Sequence, residues 1–339
     1  MKKAFVGLLA LVLFVFAGQA QVRESVGAYL AAQLAIWQGE ETAQPEKEPV
    51  FAQPVLFSPE SETEVTLYYR FGQTNLLGAE RVQLETPKAE SIAVAIVERL
   101  VDGPDAAHAR LSGVFPRGTR VLSVTEEGST VYVTLSEGFL GRPEGAPSDW
   151  EDLAIWQEEA TLRRWLAAQS IVCSLTEGGR YQCVQLYLAA DENDTPRRIP
   201  LVWFDLNVTN PTVVLAASSR EETAIMTPAR AMQMILDGWQ KRDWESVYML
   251  ICTAEGEKMP TLSAFQAQMQ EADVSLLTAE ITPGTVDISG RTATIVLDGA
   301  IRFADGGDAR LIREAVPLVR AADNWAMRLD TLLSLMRRE

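Results

Sequence analysis

Phe115-Pro116-Arg117-Gly118-Thr119-Arg120-Val121-Leu122-Ser123-Val124, followed by Val131-Tyr132-Val133-Thr134-Leu135-Ser136, is the stretch that decides how this chain folds. Residues 119–125 and 130–135 read as two strands around Glu126-Glu127-Gly128-Ser129, with glycine where a tight hairpin needs positive φ. In the second strand Val131, Val133 and Leu135 alternate with Thr130, Tyr132 and Thr134, which predicts one buried face.

Upstream, Ile92, Ala93, Ile96, Val97 and Leu100 recur at helical spacing, and Gly103-Pro104 supplies a stop. Pro87 is expected to open that helix, where a missing N–H does no harm. Residues 65–69 and 81–84 read as strands before it. Downstream, a Gly/Pro loop over 141–149 precedes a long helix over 152–176 and a strand over 181–188. Strands interleaved with two helices predict an α+β sheet with its helices on one face.

This order of elements resembles the GerMN domain of sporulation and spore germination proteins. The resemblance is carried by Ile92–Leu100, Asp102-Gly103-Pro104, the two quoted strands, Phe139-Leu140, then Ile171-Val172-Cys173-Ser174-Leu175-Thr176-Glu177 and Val184-Gln185-Leu186. It covers residues 64–213. It implies a non-enzymatic domain that acts outside the cytoplasmic membrane through protein–protein contact, with envelope or sporulation proteins as partners and self-assembly among the outcomes. The chain departs from the family in residues 141–156, which add Trp150 and Trp156 among acidic residues. Exposed, these tryptophans would make a contact surface. Buried, they would pack the loop.

Residues 214–223 read as a hinge. Thr227-Pro228 then starts a helix with a hydroxyl cap and proline at the first position, and Ala231, Met232, Ile235, Leu236 and Trp239 form its stripe. Further helices are expected over 244–251 and 262–269, then strands over 275–281, 292–297, 310–320 and 325–331. Through Thr227-Pro228, Lys241-Arg242-Asp243-Trp244 and Trp325-Ala326-Met327-Arg328-Leu329, this second half (224–339) is similar to the NTF2-like superfamily, whose α+β cone often encloses a pocket. A cone filled by Trp239, Trp244, Phe265 and Phe303 would mean packing. An open, polar one would mean a small-ligand-binding envelope protein.

Met1-Lys2-Lys3, the apolar run over 4–17 and Gly18-Gln19-Ala20 read as a signal peptide over 1–20. The h-region is shorter than the roughly 20 residues that span a bilayer. Gln19 stands where a lipoprotein needs cysteine, so a released protein and one tethered through 4–17 remain the two readings. Residues 21–63 are expected to hold a short helix (23–38) and an extended linker punctuated by Pro45, Pro49, Pro54 and Pro59.

Chemistry is sparse. A net charge of −16 repels phosphate, which excludes nucleic acid as the main partner. His108 is the single histidine, in a polar turn, so a histidine triad or two-histidine metal site lacks its parts. No cysteine pair, phosphate-cradling loop or nucleophile elbow marks a metal or cofactor site. Asp191-Glu192-Asn193-Asp194 lacks the glycine and distal glutamate of a calcium loop. The carboxylates of the second half, Asp243, Asp298, Asp305, Asp308 and Glu314, read mainly as turn chemistry. Neither catalytic nor cofactor residues are therefore assigned. Cys173, late in the long helix, and Cys183, at the next strand, are expected either to form a disulfide or to be two buried thiols, with Cys252 left over.

Overall fold

The computed structural model describes residues 61–86, 91–321 and 324–337, all within one unit, Pro59–Glu339. The expected signal peptide, the helix over 23–38, most of the linker and Pro87 lie outside the described residues.

The chain is α+β. Strand β1 (Ser61–Phe71) pairs antiparallel with β2 (Leu77–Thr86) along its whole length. Helix α1 (Ile92–Asp102) begins after Ser91, which holds extended backbone while its hydroxyl accepts from the Ala93 amide. Ser91 is thus the cap of this helix. A hydroxyl one residue before the apolar stripe satisfies an orphan N–H. Ala93, Ile96, Val97 and Leu100 are buried, and Gly103, at φ 98°, ends the helix.

A two-residue strand, β3 (Leu111–Ser112), pairs with the end of β1. Strands β4 (Val121–Glu127) and β5 (Thr130–Ser136) then form the expected hairpin, with Gly128 at φ 60°. Helix α2 (Ala154–Thr176) carries the chain across to β6 (Cys183–Ala189), which pairs parallel to β5. The short β7 (Arg197–Arg198) closes the edge.

The expected single sheet is therefore two, in the orders β2-β1-β3 and β4-β5-β6-β7. Helix α2 packs against both β1 and β6, and every residue from Leu166 to Thr176 is buried. A helix covered on all sides cannot show one clean stripe, which is why its apolar positions were scattered. Strand β5 is similar: Thr134 and Ser136 are buried beside the expected Val131, Val133 and Leu135.

In the second half, α3 (Pro228–Lys241) is capped by Thr227, whose hydroxyl accepts from Arg230 N. Asp243 caps the one-turn α4 (Trp244–Tyr248), which ends sooner than the sequence suggests because the chain turns into a missed strand, β8 (Ile251–Cys252). Helix α5 (Leu262–Ala272) leads to β9 (Ser275–Val286), β10 (Thr292–Arg302), β11 (Arg310–Arg320) and β12 (Trp325–Arg328). A final helix, α6 (Leu329–Leu335), replaces the expected continuation of the last strand. These strands make one sheet in the order β8-β12-β11-β10-β9, with β8 parallel to β12. Helix α3 lies over β9, β10 and β12. One continuous hydrophobic core links this half with the first.

Candidate interaction surface and the placement of charged groups

Large aromatic side chains occupy the interior of the second half. Trp239 and Phe265 are fully buried, Trp244 is nearly so, and Phe303 packs half-buried against the core. Trp239 anchors the stack by donating its indole N–H to the Val274 carbonyl at 2.8 Å. The carboxylates of this half do not converge. Asp243 caps α4 through Ser246, Asp298 faces Arg313 at 3.7 Å on the surface, and Asp305 accepts from Gly307 N in its turn. Among the described residues, no group of three histidine, cysteine or acidic side chains could hold a metal ion.

Asp191 and Asp194 likewise bond the backbone of their own loop, at Asn193 N and Ala190 N. His108 approaches the buried Glu80 at 3.8 Å, and Arg99 reaches the same carboxylate oxygen at 3.5 Å. The single histidine is thus held against a structural carboxylate, not in an open cleft.

The expected Cys173–Cys183 bridge is not formed. All three cysteines are free thiols. Cys173 lies within the buried length of α2, where burial pushes its thiol up to about 12. Cys183 instead contacts the Thr130 hydroxyl across the β5–β6 pair at 3.2 Å. A parallel strand pair fixes Cys183 opposite Thr130, which explains its separate environment.

A mixed charged and apolar groove lies on α2 and the end of β1. The groove, of 530 Å³, is lined by Arg70, Gln73, Ile155, Trp156, Glu159 and Arg163, among others. Ile155, in its lining, is 73% exposed. Beneath it, Arg70 reaches Glu159 at 2.5 Å and Arg163 reaches the same carboxylate at 2.6 Å. Burial opposes the charge on Glu159, yet the two arginines together hold its carboxyl below the usual range.

Arg70 is itself fixed by the Thr74 and Gln73 carbonyls, so the triad is a rigid floor. Alongside it, Trp150 packs with Ala146 and Ala160, and Trp156 lies against that small cluster. Trp150 thus packs the loop, and Trp156, half-buried against the same cluster, also lines the groove.

Arg164, one residue from this triad, is buried with its guanidinium 5.6 Å from the Trp150 ring and 4.9 Å from that of Trp203. Burial pushes it down to about 10, against the pull of Glu151. Arg70, Glu159 and Arg164 carry no sequence signal, because their partners arrive from distant elements. The Arg70–Glu159 pair spans 89 positions.

No helix among the described residues is long and apolar enough to cross a membrane. None of the curated proteins compared matches this chain. Among solved structures, the tandem GerMN domains of the sporulation protein GerM from Bacillus subtilis are similar at 16% identity and a TM-score of 0.30, over 75% of this chain and 61% of that one. This chain thus spans under two thirds of that relative. The first GerMN domain of the same protein is similar at 20% identity and a TM-score of 0.24, over 40% of this chain and 93% of that one. Residues 66–189, from within β1 to the end of β6, match the Germane family model, described as sporulation and spore germination.

Proposed function

We propose that this protein works outside the cytoplasmic membrane as a non-enzymatic interaction module in the assembly of sporulation or spore germination machinery. The Germane match over residues 66–189 carries this reading. Its partners are envelope or sporulation proteins, and the working surface is the α2 groove around Ile155 and Trp156. A rigid, charge-balanced floor with an exposed isoleucine suits contact with another folded surface better than turnover of a small substrate.

The second half (224–339), joined to the first (64–213) by residues 214–223, serves as an NTF2-like support. Helix α3 laid over a five-stranded sheet supports that reading, and the buried Trp239, Trp244 and Phe265 favour packing over a ligand pocket. The signal-like segment ahead of the described residues supports an extracytoplasmic site, either released or tethered through 4–17, and Gln19 argues against a lipid anchor.

Deletion of the gene in the source bacterium, followed by microscopy of spore development and a germination assay, tests the proposal. The expected outcome is arrested development or failed germination, restored by the full chain but not by a folded, exported Ile155→Glu/Arg163→Glu variant. Normal spores, or a source that makes none, would overturn it.

A further inference from the structure

The segment over 220–228 crosses between the two halves and, with β1, β2 and the start of β12, encloses a cavity of 140 Å³. Asn324, immediately before β12, lines it. Its side chain is buried, with the residue only 3% exposed, and neither its amide nitrogen nor its amide oxygen has a hydrogen-bond partner. Buried amides are nearly always satisfied, so a doubly orphaned one facing a cavity marks a place where something else binds.

Polar groups of the lining bond one another. Arg220 is committed to Glu177, Glu222, the Tyr68 hydroxyl and the Cys173 carbonyl, at 2.5, 2.6, 3.0 and 3.2 Å. Tyr68 in turn donates to Glu177 at 2.9 Å. The charged residues lining the cavity are Arg220 and Arg320 against Glu177 and Glu222, so their charges cancel and favour neither an anion nor a cation.

We propose that this junction cavity binds a small neutral molecule carrying a primary carboxamide or a lactam, paired edge to edge with Asn324. Such a group presents one donor and one acceptor on the same edge, matching an amide in either of its two orientations. Leu77, Ile225, Met226 and Trp325 supply the apolar wall for the carbon part. The site is separate from the α2 groove and stands or falls independently of the interaction role.

Calorimetric titration of the full chain with propionamide and 2-pyrrolidinone tests this, with butanone as a control of similar shape that lacks the donor. Saturable binding of propionamide, weakened about tenfold or more for butanone and in Asn324→Leu, is expected. Failure of propionamide to saturate would mean that the cavity holds only water, and would overturn the proposal. So would equal binding of butanone, or affinity unchanged in Asn324→Leu. If Asn324→Leu does not fold, Ala79→Leu narrows the cavity from β2 and leaves the amide intact. It has to abolish binding, and retained affinity overturns the proposal equally.

Discussion

Ser170 donates its hydroxyl to the carbonyl of Tyr68 at 2.5 Å, from helix α2 to strand β1. One turn further along α2, Ser174 accepts from the Tyr68 amide at 3.0 Å. Both polar groups of Tyr68 therefore point away from β2. Among the described residues, the strand on that side, β3, pairs just with Arg70 and Phe71. Two serines at i, i+4 spacing finish the edge that a longer β3 would have covered, and they let a helix bury against a strand without orphaning its backbone.

Removing either hydroxyl leaves a buried backbone group without a partner, at a cost of about 1–3 kcal/mol. Ser170→Ala and Ser174→Ala should each lower the midpoint of urea unfolding with an unchanged slope. An unaltered midpoint in both would show that water can reach Tyr68 and that the serines are dispensable.

The groove floor predicts an acid dependence. Glu159 is held below the usual carboxylate range in the folded protein, so its contribution is complete above the ordinary glutamate pKa. That contribution is lost as the pH falls through the lowered folded value, because the unfolded chain then takes up the proton more readily. Glu159→Gln should therefore be less stable than the parent near neutral pH, and the two should converge in acid. Parallel stability curves down to low pH would show that the Arg70 and Arg163 contacts contribute nothing to folding.

Gly138 tests the turn after the quoted strands. A Cβ there would lie 2.3 Å from the Gly118 carbonyl oxygen, closer than any real contact allows. Since the obstacle is backbone, Gly138→Ala should cost about 2 kcal/mol or more, seen as a lower thermal midpoint. Gly145→Ala is a useful comparison: nothing lies near its Cβ, and only its φ of 82° is strained.

That glycine also shows where the sequence was readable. Gly118 belongs to the quoted motif, and Gly128 and Gly103 could be assigned from local turn chemistry alone. Gly138 could not, because its constraint comes from a backbone segment twenty positions away. The same division holds elsewhere. Stripes such as Ile92–Leu100 and Ala231–Trp239 mark helices with one exposed side, so they were legible. Helix α2 carries Gln169, Ser170 and Ser174 inside the protein, so its burial could only be seen once both sheets were in place. Strand β8 is two residues long and exists through its parallel pairing with β12, a contact that local pattern cannot encode. The groove was half legible: its tryptophans stood out, while Arg70, Glu159 and Arg164 did not.

The cysteines give the last test. Cys173 is fully buried in α2 as a free thiol, and burial pushes its ionisation up to about 12, so almost none is thiolate at neutral pH. Cys252 is only partly buried, and burial raises it too. A thiol reagent added to native protein at neutral pH should modify Cys183 and Cys252, and Cys173 only after denaturant exposes the core. Because no bridge closes the loop between α2 and β6, adding reductant should leave the thermal midpoint where it was. A midpoint that falls on reduction, together with two thiols missing from the denatured count, would mean that Cys173 and Cys183 pair after all.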